Sequence, residues 1–193
     1  MRPLRVVLAE GAPDLRDGTM ALIEGAGFEV VGEAVEWDRV AELVSSRAAD
    51  VVVVAGDSDY AAGLSIVGGD VASIVVAGDA AAAKEYAGLA SFGVVTTDMP
   101  ADMVSALTHL AVARAADLAD ARREADELRE QLETRKVVER AKGVLMRRLG
   151  ITEEAAYRRM QKASQDENKK LRQIADSILS AEKLLDAGTD AET

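Results

Sequence analysis

The sequence predicts an α/β domain on a doubly wound, five-stranded parallel sheet in the order 2-1-3-4-5. A long coiled-coil helix and a small three-helix α domain follow it. Three observations carry this reading. Over residues 1–98, five short apolar segments alternate with helical patterns. After Pro100 the chain meets no further Pro, and no Gly before Gly143. Beyond that point three amphipathic segments are separated by turn residues.

Taken in order, strands are expected at Arg5–Ala9, Glu29–Gly32, Val51–Ala55, Ser73–Ala77 and Gly93–Thr96. Four of them are continuous apolar runs, the pattern of a parallel sheet covered on both faces. Helical spacing lies between them at Asp14–Gly25, Asp38–Arg47 and Ala80–Ala90, while the Gly- and Asp-rich segment Asp57–Asp70 predicts no firm helix. From Leu107 to Leu132 a seam runs through Leu107, Leu110 or Ala111, Arg114, Leu118, Ala121, Ala125, Leu128 and Leu132, at spacings of three and four. Charged residues flank it. The seam predicts a parallel homodimer joined through Leu118, Ala125, Leu128 and Leu132; a solvated single helix is the alternative, because an Ala-rich seam packs weakly. Unbroken from about residue 100 to 149, the helix would span roughly 75 Å at 1.5 Å per residue.

Val137, Val138, Ala141, Val144, Leu145 and Leu149 share one face of the last part of that helix, and Lys136, Arg140, Gly143 and Arg147 fall opposite. Gly143 costs about 1 kcal/mol relative to Ala inside a helix. On the polar stripe it would let a phosphate or sugar approach bare backbone; the alternative is that it admits a neighbouring helix. A second helix is capped by Thr152, with Glu153 and Glu154 at the positive end of its dipole. Ala156, Tyr157, Met160 and Ala163 line its apolar side, and Arg158, Arg159 and Lys162 face away. A third starts near Asn168 and buries Leu171, Ile174, Ala175 and Ile178, with Lys169 and Arg172 outside.

Charge sharpens the division. The chain carries a formal net charge of −11, yet residues 135–172 hold 12 Lys+Arg against 5 Asp+Glu. Residues 1–113 hold 6 against 17. A basic island on an acidic chain points to a polyanion partner. The chain has no Cys, which excludes disulfide and thiolate chemistry. No 18-residue apolar run and no signal-peptide pattern occur, so a cytoplasmic protein without membrane contact is expected. No nucleophile–base–acid set, no metal-ligand cluster and no cofactor motif is visible. Gly68-Gly69 lacks a phosphate-loop frame, His109 stands alone in a helical run, and Trp37 reads as packing or a surface contact. Catalysis is not expected.

The run ETRKVVERAKGVLMRRLGITEEAAYRRMQKASQDENKKLRQIADSIL resembles an ANTAR domain, the RNA-binding module of bacterial transcription antitermination regulators. Its most specific part is VERAKGVLMRR followed by GITEEAAY and a later NKKL. The resemblance implies a three-helix domain that binds a hairpin RNA leader and prevents a terminator from forming. Arg135, Lys136, Arg140, Lys142, Gly143, Arg147, Arg158, Lys162, Lys169 and Arg172 are the RNA contacts it implies together with the basic faces.

The layout RVVLAEGAPDLR, GFEVVGEA, ADVVVVAGD is similar to a response-regulator receiver domain across most of residues 1–113. A working receiver needs two acids after the first strand, an Asp ending the third, a hydroxyl after the fourth and a Lys after the fifth. Here Glu10-Gly11 stands for the acid pair, Ala55 for the phosphate acceptor, Ala77-Gly78 for the hydroxyl and Thr97 for the Lys. One carboxylate cannot hold Mg²⁺, and Ala55 offers no nucleophile. Asp57, two residues on, is a remote substitute. A pseudoreceiver is therefore expected, sensing a ligand, answering a regulatory protein or simply supporting the dimer. The expected domains are 1–113 (receiver-like), 114–132 (coiled-coil linker), 133–182 (three-helix) and a partly disordered tail, 183–193. A protein-interaction module, or a DNA-binding regulator, stands beside the RNA reading.

Overall fold

The computed structural model describes residues 2–56, 58–67, 70–86 and 92–189, without the side chains of 58–59 and 185–189. The chain forms two compact units, Met1–Arg122 and Arg123–Thr193.

The first unit contains β1 (Arg5–Glu10), β2 (Glu29–Ala34), β3 (Val51–Ala55), β4 (Ala72–Ala77) and β5 (Gly93–Thr96), all parallel, in the order β2-β1-β3-β4-β5. This is the expected topology. Alternation sorts the strand residues into two cores. Val6, Leu8, Val51, Val53, Ile74 and Val76 meet Leu22 and Ile23 of α1 (Arg16–Gly25) and Val104, Ala111 and Ala115 of α6 (Ala101–Leu149). Val7, Ala9, Val52, Val54 and Val75 meet Val40, Leu43 and Val44 of α2 (Trp37–Arg47), Leu64 of α4 (Leu64–Val67) and Tyr86 of α5 (Ala80–Tyr86). Every residue of β3 is buried, which explains its unbroken run of valines.

The segment after β3, for which the Gly-rich composition predicted no firm helix, forms two single-turn helices, α3 (Ser58–Ala61) and α4. Asp57, Gly68 and Gly69 lie outside the described residues, as does the last part of the helix expected over Ala80–Ala90. The first unit extends past the expected boundary at residue 113 because Ala115 of α6 is still buried against the sheet.

The second unit packs the end of α6 against α7 (Glu153–Asp166) and α8 (Leu171–Thr189). Val138, Ala141, Met160, Ile174 and Ala175 form its centre. Gly150, at φ +64°, ends α6 in the left-handed region that a side chain disfavours, and its N–H closes on the Met146 carbonyl at 3.0 Å. The Thr152 hydroxyl caps α7 by accepting from the Ala155 N–H at 3.3 Å. Asn168 takes φ +51°, so α8 starts at Leu171 rather than near Asn168. It continues to Thr189, into the segment 183–193 expected to be a partly disordered tail.

Candidate functional site

At the C-terminal ends of the strands, the place where an open α/β sheet offers a site, an aromatic side chain fills the first unit. Tyr60 lies across Gly11 and Gly56. A Cβ on Gly11 would overlap its ring, and one on Gly56 would come within 2.6 Å of Cδ1. The Tyr60 hydroxyl donates to the Val35 carbonyl at 2.6 Å. Trp37 stacks on the ring at 5.0 Å between centroids and donates from Nε1 to the Tyr60 carbonyl at 3.1 Å. Burial, then the nearby Glu36 and Glu10 charges, push the Tyr60 phenol up to about 12.

The remaining receiver positions are also committed. Glu10 accepts from Arg16 Nε at 2.7 Å, and the same guanidinium reaches Glu33 at 2.6 Å. Arg16 is held charged by the hydrogen bond to Glu33 and then by that to Glu10. The Ala55 carbonyl accepts from the N–H groups of Gly11 (2.7 Å) and Ala12 (3.0 Å). Thr97 donates to the Gly78 carbonyl at 3.1 Å. Glu10, Gly11, Ala55, Gly78 and Thr97 do come together at the strand ends, but this set does not fit Mg²⁺. Its one carboxylate is neutralised by Arg16, and an apolar ring occupies the adjoining space.

In the second unit the stripe expected on α6 is formed. Lys136, Arg140 and Arg147 are exposed and Gly143 is half-buried, opposite the buried Val138, Ala141 and Val144. A Cβ on Gly143 would meet only Arg147 Nη1, at 3.6 Å, so no helix packs there. Several of the cations are partnered. Lys136 pairs with Glu133 (2.7 Å), Arg147 with Glu182 (2.9 Å), Arg158 with Glu154 (3.6 Å) and Lys169 with Glu167 (2.7 Å). Arg172 stands 4.0 Å from both Glu130 and Asp176. Among the described residues, Arg135, Arg140 and Lys162 are exposed and form no ion pair.

Lys142 departs from the expected cationic face. Its side chain is only 9% exposed and joins Glu139 at 2.8 Å and Glu153 at 2.7 Å. Hydrogen bonds to those two carboxylates raise its pKa, and Lys142 in turn lowers that of Glu153. It ties α6 to α7 and is not presented to a ligand in this arrangement. Tyr157 departs in the opposite sense. Expected on the apolar side of α7, it is 38% exposed, with Lys142 Nζ 5.9 Å from its ring centroid. Of the seam residues, Leu118, Leu128 and Leu132 are exposed and Ala125 is half-buried. The packing of Tyr60 against Gly11 and Gly56 is the feature that the sequence pattern does not announce.

A receiver-type sheet followed by a three-helix unit with a basic stretch over residues 135–172 defines a response regulator with a helical output domain. The family model described as the ANTAR domain matches residues 126–179. The transcriptional regulatory protein PdtaR of Mycobacterium tuberculosis (strains CDC 1551 / Oshkosh and ATCC 25618 / H37Rv) is 30% identical over 186 residues, covering 92% of this chain and 90% of PdtaR. The chain belongs to the ANTAR-domain response regulators. Solved structures similar to it include a LuxR-family response regulator from Aurantimonas sp. SI85-9A1 (21% identity, TM-score 0.44, 62% of this chain and 99% of that one). A receiver domain protein from Clostridium thermocellum aligns at 17% identity and TM-score 0.44, over 60% and 98%. The fold assignment rests on the strand order itself. Among the described residues, no helix is long and apolar enough to cross a membrane.

Proposed function

We propose that this protein is an RNA-binding transcription antitermination regulator of the cytoplasm, acting as a homodimer without catalysis. Its second unit binds hairpin RNA leaders, and its receiver-like unit accepts no phosphate. The observation that carries the reading is the outward stripe of Lys136, Arg140, Gly143 and Arg147, set opposite the apolar face of α6 in a chain whose net charge is −11. Such a stripe attracts a polyanion electrostatically, and hairpin loops expose the unstacked bases that helical faces can read. The family membership supports the choice of RNA over duplex DNA.

The receiver half of the proposal is supported by Tyr60 in the strand-end site and by Ala55 at the acceptor position. Control then comes from a ligand, a partner protein or expression level. A second reading, a protein-interaction module, is favoured by the exposed Leu118, Leu128 and Leu132. Binding of hairpin RNA, duplex DNA of equal charge and a no-nucleic-acid control separates them. Hairpin RNA alone is expected to bind tightly. Equal binding of duplex DNA would favour a DNA regulator, and binding of neither would favour the interaction module.

A further inference from the structure

Tyr157 is the only aromatic residue between Arg123 and Thr193. A tyrosine in a small helical bundle ordinarily adds its ring to the core. Here Ala156 and Met160 are buried on the same helix while Tyr157 stays 38% exposed. Something other than core packing holds it. Lys142 Nζ lies over the ring, and that ammonium is itself fixed by Glu139 and Glu153 at 2.8 and 2.7 Å. The contact steadies the ring without burying it.

The ring borders an open cleft of about 570 Å³ within the second unit. Val138 and Leu171 give the cleft apolar surface. Gln131 and Thr134 bring an amide and a hydroxyl that can each donate and accept, and the unpaired Arg135 adds a guanidinium. A flat aromatic wall, apolar flanks and a few polar groups match a planar heterocycle with a hydrogen-bonding edge. Unstacked RNA bases are held in this way, by aromatic stacking and hydrogen bonds to the edge.

Glu127, Glu130 and Glu139 also line the cleft, the last already paired with Lys142. Carboxylates repel phosphate, so the sugar–phosphate chain stays outside the cleft. Toward a base edge the same carboxylates act as acceptors and favour an exocyclic amino group. Adenine, guanine and cytosine carry one; uracil does not.

We propose that the cleft beside Tyr157 receives one unstacked, amino-bearing nucleobase of the bound RNA loop, stacked on the Tyr157 ring and read at its edge by Gln131 and Thr134. The proposal rests on the RNA-binding reading above and adds where a base is recognised. The test uses the full chain and hairpins of constant stem and randomised loop, selected on the wild-type protein. Each loop position of a selected hairpin is then replaced by an abasic site.

One position is expected to lose roughly 5- to 150-fold in affinity when abasic, the effect of losing one aromatic–base stack. Uracil at that position should also bind less tightly. Tyr157→Leu should lose a similar factor on the intact hairpin and become indifferent to the abasic site there, whereas Tyr157→Phe should keep the stack. Unchanged affinity of Tyr157→Leu, or losses that add to those of every abasic site, would overturn the cleft while leaving RNA binding intact. Should Tyr157→Leu fail to fold, Gln131→Leu and Thr134→Val carry the test. Relaxed base preference at the same position supports the proposal, and wild-type preference in both overturns it. If the wild-type protein selects no hairpin at all, the RNA reading and the cleft fall together.

Discussion

The Tyr60 ring occupies the space that any side chain on Gly11 would need. The glycine is therefore more than a lost acid: it is half of a packing arrangement that fills a receiver's metal site with an aromatic. Gly11→Ala should destabilise the first unit by about 1–3 kcal/mol through overpacking. Combined with Tyr60→Ala, it should cost less than the two single changes added together. Thermal denaturation of the four proteins measures that coupling.

Phosphotransfer follows the same geometry. The wild-type chain should take no acid-stable, base-labile label from small phosphodonors, on Asp57 or Glu10 included. Ala55→Asp with Gly11→Asp should not restore labelling while Tyr60 remains, and adding Tyr60→Ala is the least change that opens the space. Stoichiometric label on the wild-type protein would contradict the pseudoreceiver.

The sheet was legible because parallel strands buried on both faces must be apolar throughout, as Val51–Ala55 is. The three helices of the second unit were legible from period and caps, Thr152 above all. Side-chain fates near the helix junction were not. Lys142 is expected among the RNA contacts and Tyr157 on the apolar side of α7, but Glu153 at the start of α7 holds the ammonium, and the ring stays partly exposed with Lys142 over it. That exchange depends on how α6 and α7 meet, which periodicity does not encode. Likewise nothing in the spacing of Gly11, Trp37 and Tyr60 announced that three distant segments converge.

Lys142→Met should destabilise the second unit near neutral pH, and the loss should have an acid limb. Glu153 has a folded pKa below its ordinary value, so its pairing stabilises above the ordinary glutamate range of about 4.3. That contribution fades as pH falls through the lowered folded value. Lys142 itself, raised above its ordinary value, stabilises below about 10.4 and loses its contribution only as pH rises through the folded value. Melting curves across pH 3–7 should show wild type and Lys142→Met converging at the acid end. The salt slope of RNA binding should be unmoved by this substitution, since the ammonium is not presented outward.

The proposed dimer relies on exposed leucines. Replacing Leu128 and Leu132 with serine should convert a dimer to a monomer by light scattering and weaken hairpin binding through lost avidity. A wild-type monomer at tens of micromolar would contradict the seam.

Gly143→Ala separates backbone access from stability. The added methyl meets only Arg147 Nη1 at 3.6 Å, an ordinary contact, so helix propensity should raise stability by about 0.5–1 kcal/mol. RNA affinity should fall if the backbone is approached closely there. Equal affinity would make the glycine irrelevant to binding.

The salt dependence of hairpin RNA affinity tests the account most directly. With about −0.7 per neutralised phosphate, four to six contacts should give a slope of roughly −3 to −4 in log affinity against log salt. Arg140→Ala and Lys162→Ala, which lack ion-pair partners among the described residues, should each shallow the slope by a fraction of a unit. Lys136→Ala and Arg147→Ala should do less, because Glu133 and Glu182 already compete for those cations. An affinity indifferent to a doubling of salt, or unmoved by Arg140→Ala combined with Lys162→Ala, would contradict RNA binding by the basic faces of α6 and α7.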